Sequence, residues 1–250
     1  MIDIKSFKLN HGYEIDGFWY PRVTSICGIL SKPGLFKYYA EQANFESAQL
    51  NIEKAANWGK NVHEIMEKLL VDKKPKIDQI ILPSIVAFER WRNCHKIKVI
   101  DCEKTVLSNK HQYAGTFDVL AEINGKMGIL DLKTSTGIWD DYCLQTAAYF
   151  QAFNENSSKK AKTRWILRID QFCECVKCKA KKREKEKIPK IKGGKANCNH
   201  QWTLPKGVYQ FKEFGIGSND LRIFLTAKKL WEWSNRNFLK FINNYHYISS

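Results

Sequence analysis

Gly115-Thr116-Phe117-Asp118 and Ile129-Leu130-Asp131-Leu132-Lys133 bring two acids and a lysine to either side of Asn124-Gly125. Asn-Gly between alternating apolar residues predicts a two-residue type I′ hairpin turn, because both central residues of that turn take positive φ. With Ile123 paired to Lys126, counting back along the ladder sets Asp118 opposite Asp131, Cβ atoms about 5 Å apart, and Lys133 shares their face. Two carboxylates so close repel, and one takes up a proton unless a cation lies between them. Mg²⁺ or Mn²⁺ would remove the conflict, with the two acids and the Leu132 carbonyl supplying half of an oxygen shell. The other positions suit a phosphate oxygen and a water, and Lys133 is placed to orient that water or to neutralise charge on the phosphoryl group. Asp-x-Lys alone is commonly a salt bridge at a sheet edge. The registered Asp118 turns the pattern toward a hard-metal site.

Other candidates are weaker one by one. His63 lies beside the apolar stripe of its helix, where a lone histidine is commonly a satisfied core residue, and Gly59 one turn earlier leaves that face open. Gln145 and Tyr149 are four apart, so they share a helix face, and the short turn after Lys133 packs that helix near the acids.

These residues need elements to hold them. Short strands about a glycine turn are expected over 13–23, then a helix capped by Thr24 or Ser25. Residues 35–70 read as helical, with Val62, Ile65, Met66, Leu69 and Leu70 at helix spacing. Pro83 opens a helix carrying Ile85, Phe88 and Trp91, and 97–107 alternate as a strand. Asp140 to Phe153 form a helix with acids in its first turn. Strands follow at 164–169 and 208–214. Ser218-Asn219-Asp220 cap a long last helix with Leu221, Phe224, Leu225, Trp231, Phe238 and Ile242 inward. The order suggests an α/β or α+β fold, a mixed central sheet flanked by helices.

Taken together, Gly-x-x-x-His at 59–63, Gly-Thr-Phe-Asp, Asp-Leu-Lys-Thr-Ser and Gln-x-x-x-Tyr, in that order, resemble the PD-(D/E)XK nuclease superfamily. The likeness is to its RecB-like exonuclease branch, the group of the mitochondrial genome maintenance exonuclease; Pro21-Arg22-Val23-Thr24-Ser25 also looks like that group's opening segment. It covers about residues 20 to 153. It implies a restriction-endonuclease-like sheet and metal ligation by His63, Asp118 and Asp131. It further implies that Lys133 is the catalytic lysine and that Gln145 and Tyr149 position nucleic acid or the metal-site residues. Glu103 matches a Glu often seen on the preceding strand, as an outer or second-metal residue. The activity implied is Mg²⁺- or Mn²⁺-dependent hydrolysis of DNA, from single strands or duplex ends, in recombination, repair or replication. A catalytically silent nucleic-acid-binding module on the same scaffold, or an RNA-directed nuclease, are the rivals.

The chain departs from that pattern at 171–205. Residues 171–200 hold ten Lys/Arg against three Glu. Cys173, Cys175 and Cys178, then Cys198-x-His200, offer five candidate ligands for one tetrahedral zinc. A structural zinc would let so polar an insertion fold without a core of its own. An iron–sulfur cluster fits less well: the relatives that carry one place a cysteine far upstream, whereas these four lie together. Cys27, Cys94, Cys102 and Cys143 sit among apolar neighbours and read as small core residues.

The net charge of +15 over 250 residues favours a polyanionic partner. Length and apolar content suit one nuclease domain over 1–250, with the insertion at 171–205 and the final helix at 218–245. No signal-peptide pattern is visible and nothing approaches the roughly 18 apolar residues of a membrane span, so a soluble cytoplasmic protein is expected.

Overall fold

A computed structural model describes residues 3–185, 188–215 and 219–245. Its centre is a mixed sheet built around one hairpin. Strands β4 (Tyr113–Ile123) and β5 (Lys126–Lys133) are joined by Asn124 and Gly125, both at positive φ (50° and 81°), with Ile123 opposite Lys126. The two-residue turn is therefore the one expected.

β3 (Ile97–Ser108) lies antiparallel to β4 on one side, and β6 (Thr163–Glu174) runs parallel to β5 on the other. A parallel neighbour needs a crossover, supplied by helix α6 (Asp140–Asn156). β9 (Lys206–Phe214) closes the far edge against β6.

Helices cover both faces. On one, α4 (Phe45–Leu70) and α5 (Leu82–Asn93) set Val62, Ile65, Met66, Leu70, Ile85, Phe88 and Trp91 against Val119, Leu130, Leu132 and Leu167. On the other, α1 (Ile4–His11), α2 (Val23–Cys27), α6 and α7 (Asp220–Ser234) pack with Phe117, Leu120 and Ile129, and the small hairpin β1 (Gly12–Ile15) with β2 (Phe18–Pro21) adds Trp19. Buried Arg164 ties this side together: its Nη1 donates to the Cys143 carbonyl and the Thr146 hydroxyl, each at 2.7 Å, and its Nη2 pairs with Asp220. Among the described residues, no helix is long and apolar enough to cross a membrane.

Several boundaries differ from expectation. Helix α1 was not foreseen, being short and polar; Asp3 caps it by accepting from the Ser6 N–H. α2 begins at Val23, so Thr24 and Ser25 lie inside the helix and cap nothing. The stretch 35–70 is two helices, α3 (Pro33–Ala40) and α4, because Asn44 turns extended and caps the second through the Ser47 N–H. The last helix breaks at Asn235, before α8 (Arg236–Leu239), yet Leu221, Phe224, Leu225, Trp231, Phe238 and Ile242 all still reach the core. Asn219 takes the cap position, but its side chain accepts from Arg222 Nε rather than from a backbone N–H of the helix, and Ser218 lies outside the described residues. Of the four scattered cysteines only Cys27 is fully buried; Cys94 is exposed where α5 ends.

The stretch 171–205 is more ordered than a lysine-rich tip. β6 runs on past the main sheet, and its end pairs with a hairpin of β7 (Lys181–Lys185) and β8 (Ile188–Lys192). Arg183 on β7 folds back to grip buried Asp170 of β6 with Nε and Nη2, at 2.8–3.1 Å.

Candidate metal centres

The β4–β5 ladder runs from Ile123 and Lys126 to Val119 and Leu130, and there the strands part. Asp118 and Asp131 are the next residue on each strand. The parting leaves the Leu132 N–H without a strand partner on the β4 side, and Asp118 Oδ2 accepts from it at 2.5 Å. Phe117 and Val119, two apart, pack into opposite cores, so the alternation of β4 breaks at Asp118. Opposite the break, Glu103 has a φ of +49°. The break turns Asp118 toward α4, whose His63 places Nε2 3.0 Å from Asp118 Oδ2. Asp118 and Asp131 are therefore not the directly opposed pair on one face that counting along the ladder predicts: the strands part before the acids, Asp118 turns toward α4, and Asp131 stays on the face that Tyr149 covers.

From the other face, Lys133 Nζ lies 2.7 Å from Asp131 Oδ2, as residues two apart on a strand allow. Asp131 is fully buried, and its Oδ1 has no hydrogen-bond partner. Buried carboxylate oxygens are rarely left so. Tyr149 is buried beside the acids, and its hydroxyl accepts from Gln145 Nε2 at 2.8 Å. The ring of Tyr142 lies under the Lys133 ammonium at 4.9 Å.

The motif glycines make room for these contacts. A Cβ on Gly115 would stand 2.4 Å from the Tyr149 ring, so only glycine lets α6 bring that phenol against β4. A Cβ on Gly59 would stand 2.6 Å from Thr134 Oγ1. Gly59 therefore admits the loop after Lys133, rather than clearing space for the His63 ring.

Glu67, one turn beyond His63 on α4, was missed from the sequence. Its Oε1 lies 2.8 Å from His63 Nδ1, and His63, Glu67 and Glu103 bring ligand atoms within 4.8 Å of one another. The i, i+4 spacing of His63 and Glu67 was the available signal.

The charges in this cluster are strongly coupled. Burial opposes the charged form of His63, but bonds to Asp118 and Glu67 overcome it and raise its pKa to about 10. Burial likewise works against the Asp118 carboxylate, and His63, Lys133 and the Leu132 N–H together hold its pKa below the ordinary value. Asp131 is pushed up to about 6 by burial, with Lys133 pulling the other way and Asp118 adding to the rise. Burial and the adjacent Glu67 raise Glu103 to about 7. Lys133 stays protonated because the two aspartates outweigh its burial. Tyr149 is held as a neutral phenol by burial and by the Asp131 charge.

A second cluster lies in the insertion. Cys175, Cys178, Cys198 and His200 bring ligand atoms within 4.8 Å of one another, with Cys175 Sγ 3.9 Å from Cys198 Sγ and Cys178 Sγ 3.4 Å from His200 Nδ1. This Cys₃His group could hold a metal such as zinc. Cys173, two residues before Cys175 on β6, is not in it; it pairs with Lys182 of β7. Cys175-x-x-Cys178 forms a tight turn in which the Lys179 N–H returns to the Cys175 carbonyl and Lys179 takes a φ of +61°. Burial disfavours the Cys175 thiolate, yet a His200 bond and the N–H groups of Cys178, Lys177 and Gln201 hold its pKa down at about 5. The Lys195 N–H acts likewise on Cys178. A thiol held as thiolate is the form that binds metal.

Against protein-family models and against curated protein sequences, the chain has no match.

Proposed function

We propose that this chain is a divalent-metal-dependent nuclease of the PD-(D/E)XK kind, hydrolysing phosphodiester bonds of DNA from single strands or duplex ends. The observation that carries the reading is Asp131 Oδ1, fully buried and unpartnered, beside Lys133 and at the fork shared with Asp118. Leaving a buried charge half satisfied is costly, and a hard cation is the partner that two such acids favour. In this reading Asp118, Asp131 and the Leu132 carbonyl would hold Mg²⁺ or Mn²⁺, with His63 as a fourth ligand once its proton leaves, while the ligand atoms that already lie together are those of His63, Glu67 and Glu103. Such an ion, when bound, polarises the phosphodiester and makes a bound water more acidic.

The chain's own groups have separable tasks. Lys133, kept protonated by the aspartates, offers an ammonium to the charge that grows on the phosphoryl oxygens. Gln145 and Tyr149 present a neutral hydrogen-bonded pair beside Asp131. Glu67 fixes the tautomer and orientation of His63. In this reading the run β3-β4-β5-β6 with α4 and α6 is a restriction-endonuclease-like core, and 171–205 is an insertion on it.

The Cys₃His group is read as structural zinc, since three soft thiolates and an imidazole suit a closed tetrahedral site. The net charge of +15 supports a nucleic acid as partner. Digestion of end-labelled single- and double-stranded DNA with Mg²⁺ or Mn²⁺, with and without EDTA, tests the reading. Metal-dependent cleavage that Asp131→Ala abolishes is expected; full activity in that variant would sink the assignment.

A further inference from the structure

We propose that α3 and the metal-held β7–β8 finger form one grip for an unpaired polynucleotide strand. The inference rests on the nuclease reading only for where the strand leads.

Helix α3 has no buried residue, although it carries Leu35, Phe36, Tyr38 and Tyr39. A helix this short draws little stability from its own hydrogen bonds and normally depends on packing. What holds α3 is mostly aromatic and ionic. Tyr39 stacks on Phe45 at the start of α4, with centroids 5.4 Å apart and planes at 17°. Lys190 of β8 sets its ammonium 4.2 Å from the centre of the Tyr38 ring, so the finger reaches α3. Lys32, at the cap of α3, pairs with Asp141 of α6 at 2.9 Å. Next to Asp141 is Tyr142, which lines the cleft with Ala56, Gly59, His63 and Lys133. The finger, α3 and the cleft are therefore linked by direct contacts.

The surface so formed combines two features. Phe36 and Phe45 are 62% and 64% exposed. Lys32 and Lys37 belong to the cap and body of α3, and Lys190 meets Tyr38 with Lys192 beside it; the acids are Glu41, 3.8 Å from Lys37, and Glu46, next to Phe45. A partner that offers phosphates to the lysines and flat faces to the rings satisfies both, and an unpaired strand does so because its bases are free to stack. A duplex hides those faces. An apolar protein helix would leave the lysines uncompensated.

The test is fluorescence anisotropy of the full chain with labelled oligothymidylate, oligouridylate and a duplex of equal length, over a range of salt and without added Mg²⁺ or Mn²⁺. Phe36→Ala is expected to weaken single-strand binding at least about fivefold with little change in salt slope. Lys190→Ala should weaken it and reduce the salt slope by about one. Melting temperature and zinc content of the same samples report folding, and exposed Phe36 can be removed without opening the core. Wild-type affinity in both variants, or a duplex bound as tightly as the single strands, overturns the proposal. The two single-stranded arms tell deoxyribose from ribose. Because binding is read without cleavage, a chain that grips the strand but never cuts it refutes the nuclease reading and leaves the grip standing.

Discussion

Asp118 on β4 accepts a hydrogen bond from the backbone N–H of Leu132 on β5, at 2.5 Å, where the ladder between those strands has just ended. One carboxylate oxygen thus stands in for the missing strand partner and also faces His63. Its structural and chemical roles are separable. Asparagine can still accept from Leu132 but supplies no charge. Asp118→Asn is therefore expected to lower stability by about 1–3 kcal/mol, because His63 keeps only Glu67 as its acid, and to reduce metal-dependent cleavage at least about 100-fold. Thermal melts beside cleavage rates check this; equal loss of both would make Asp118 a structural residue only.

Asp131 and Lys133 form a buried pair that costs stability to maintain. Removing one partner strands the other, so Lys133→Met alone should destabilise by about 3–5 kcal/mol. Replacing both, as Asp131→Leu with Lys133→Met, should instead raise stability by about 1–4 kcal/mol while abolishing cleavage. Denaturant titration of the three chains decides it. A double variant less stable than Lys133→Met would show that the pair is held for stability.

Glu67 touches His63 and need not touch a metal. Glu67→Gln is expected to weaken Mn²⁺ binding and cleavage by about 10–100-fold, with oligonucleotide affinity unchanged. Calorimetric Mn²⁺ titration provides the check, and unaltered Mn²⁺ affinity would remove Glu67 from the site.

Metal analysis of the purified chain should find one equivalent of zinc and no iron–sulfur chromophore. Cys178→Ser should lose the zinc and Cys173→Ser should keep it, since Cys173 lies outside the Cys₃His group. The reverse pattern would redraw the ligand set.

His11 and His111 take stability away in mild acid, against the opposite pull of Asp131 and Glu103, whose carboxyls are raised to about 6 and about 7 and take up protons first in the folded chain. His11 has its pKa lowered by burial and by Arg22, and His111 by burial and by Lys110. The unfolded chain then takes up protons at the ordinary value of 6.5 before the folded one does. Stability from these groups is complete above pH 6.5 and is lost as pH falls through the lowered folded values. Melts of the wild type and of His11→Gln with His111→Gln across that window should differ in one direction, the double variant losing less stability or gaining more as pH falls. Equal slopes in the two chains would move the cause elsewhere.

Much of this was legible from local chemistry. Asn124-Gly125 dictates its own turn, because few other residues take positive φ twice in succession, and alternation then carried the register to the residue before each acid. Helix periodicity likewise identified the inward residues of α4, α5 and α7. Cysteine spacing singled out the insertion, though five candidates could not be reduced to four without knowing where β6 ends.

What the chain could not reveal along its length depends on where strands separate and helices cross. The parting of β4 from β5 at the acids and the break of alternation at Asp118 follow from the pull of two cores on opposite faces. Glu67 joins His63 and Glu103 only because α4 lies across the strand that carries Glu103. The room at Gly115 for Tyr149, and at Gly59 for Thr134, is a matter of distance between elements remote in sequence. Residue types and short-range spacing determined which groups are present and, except at Asp118, which face each takes along its own element. Long-range packing decided that Asp131 buries its Oδ1 without a partner.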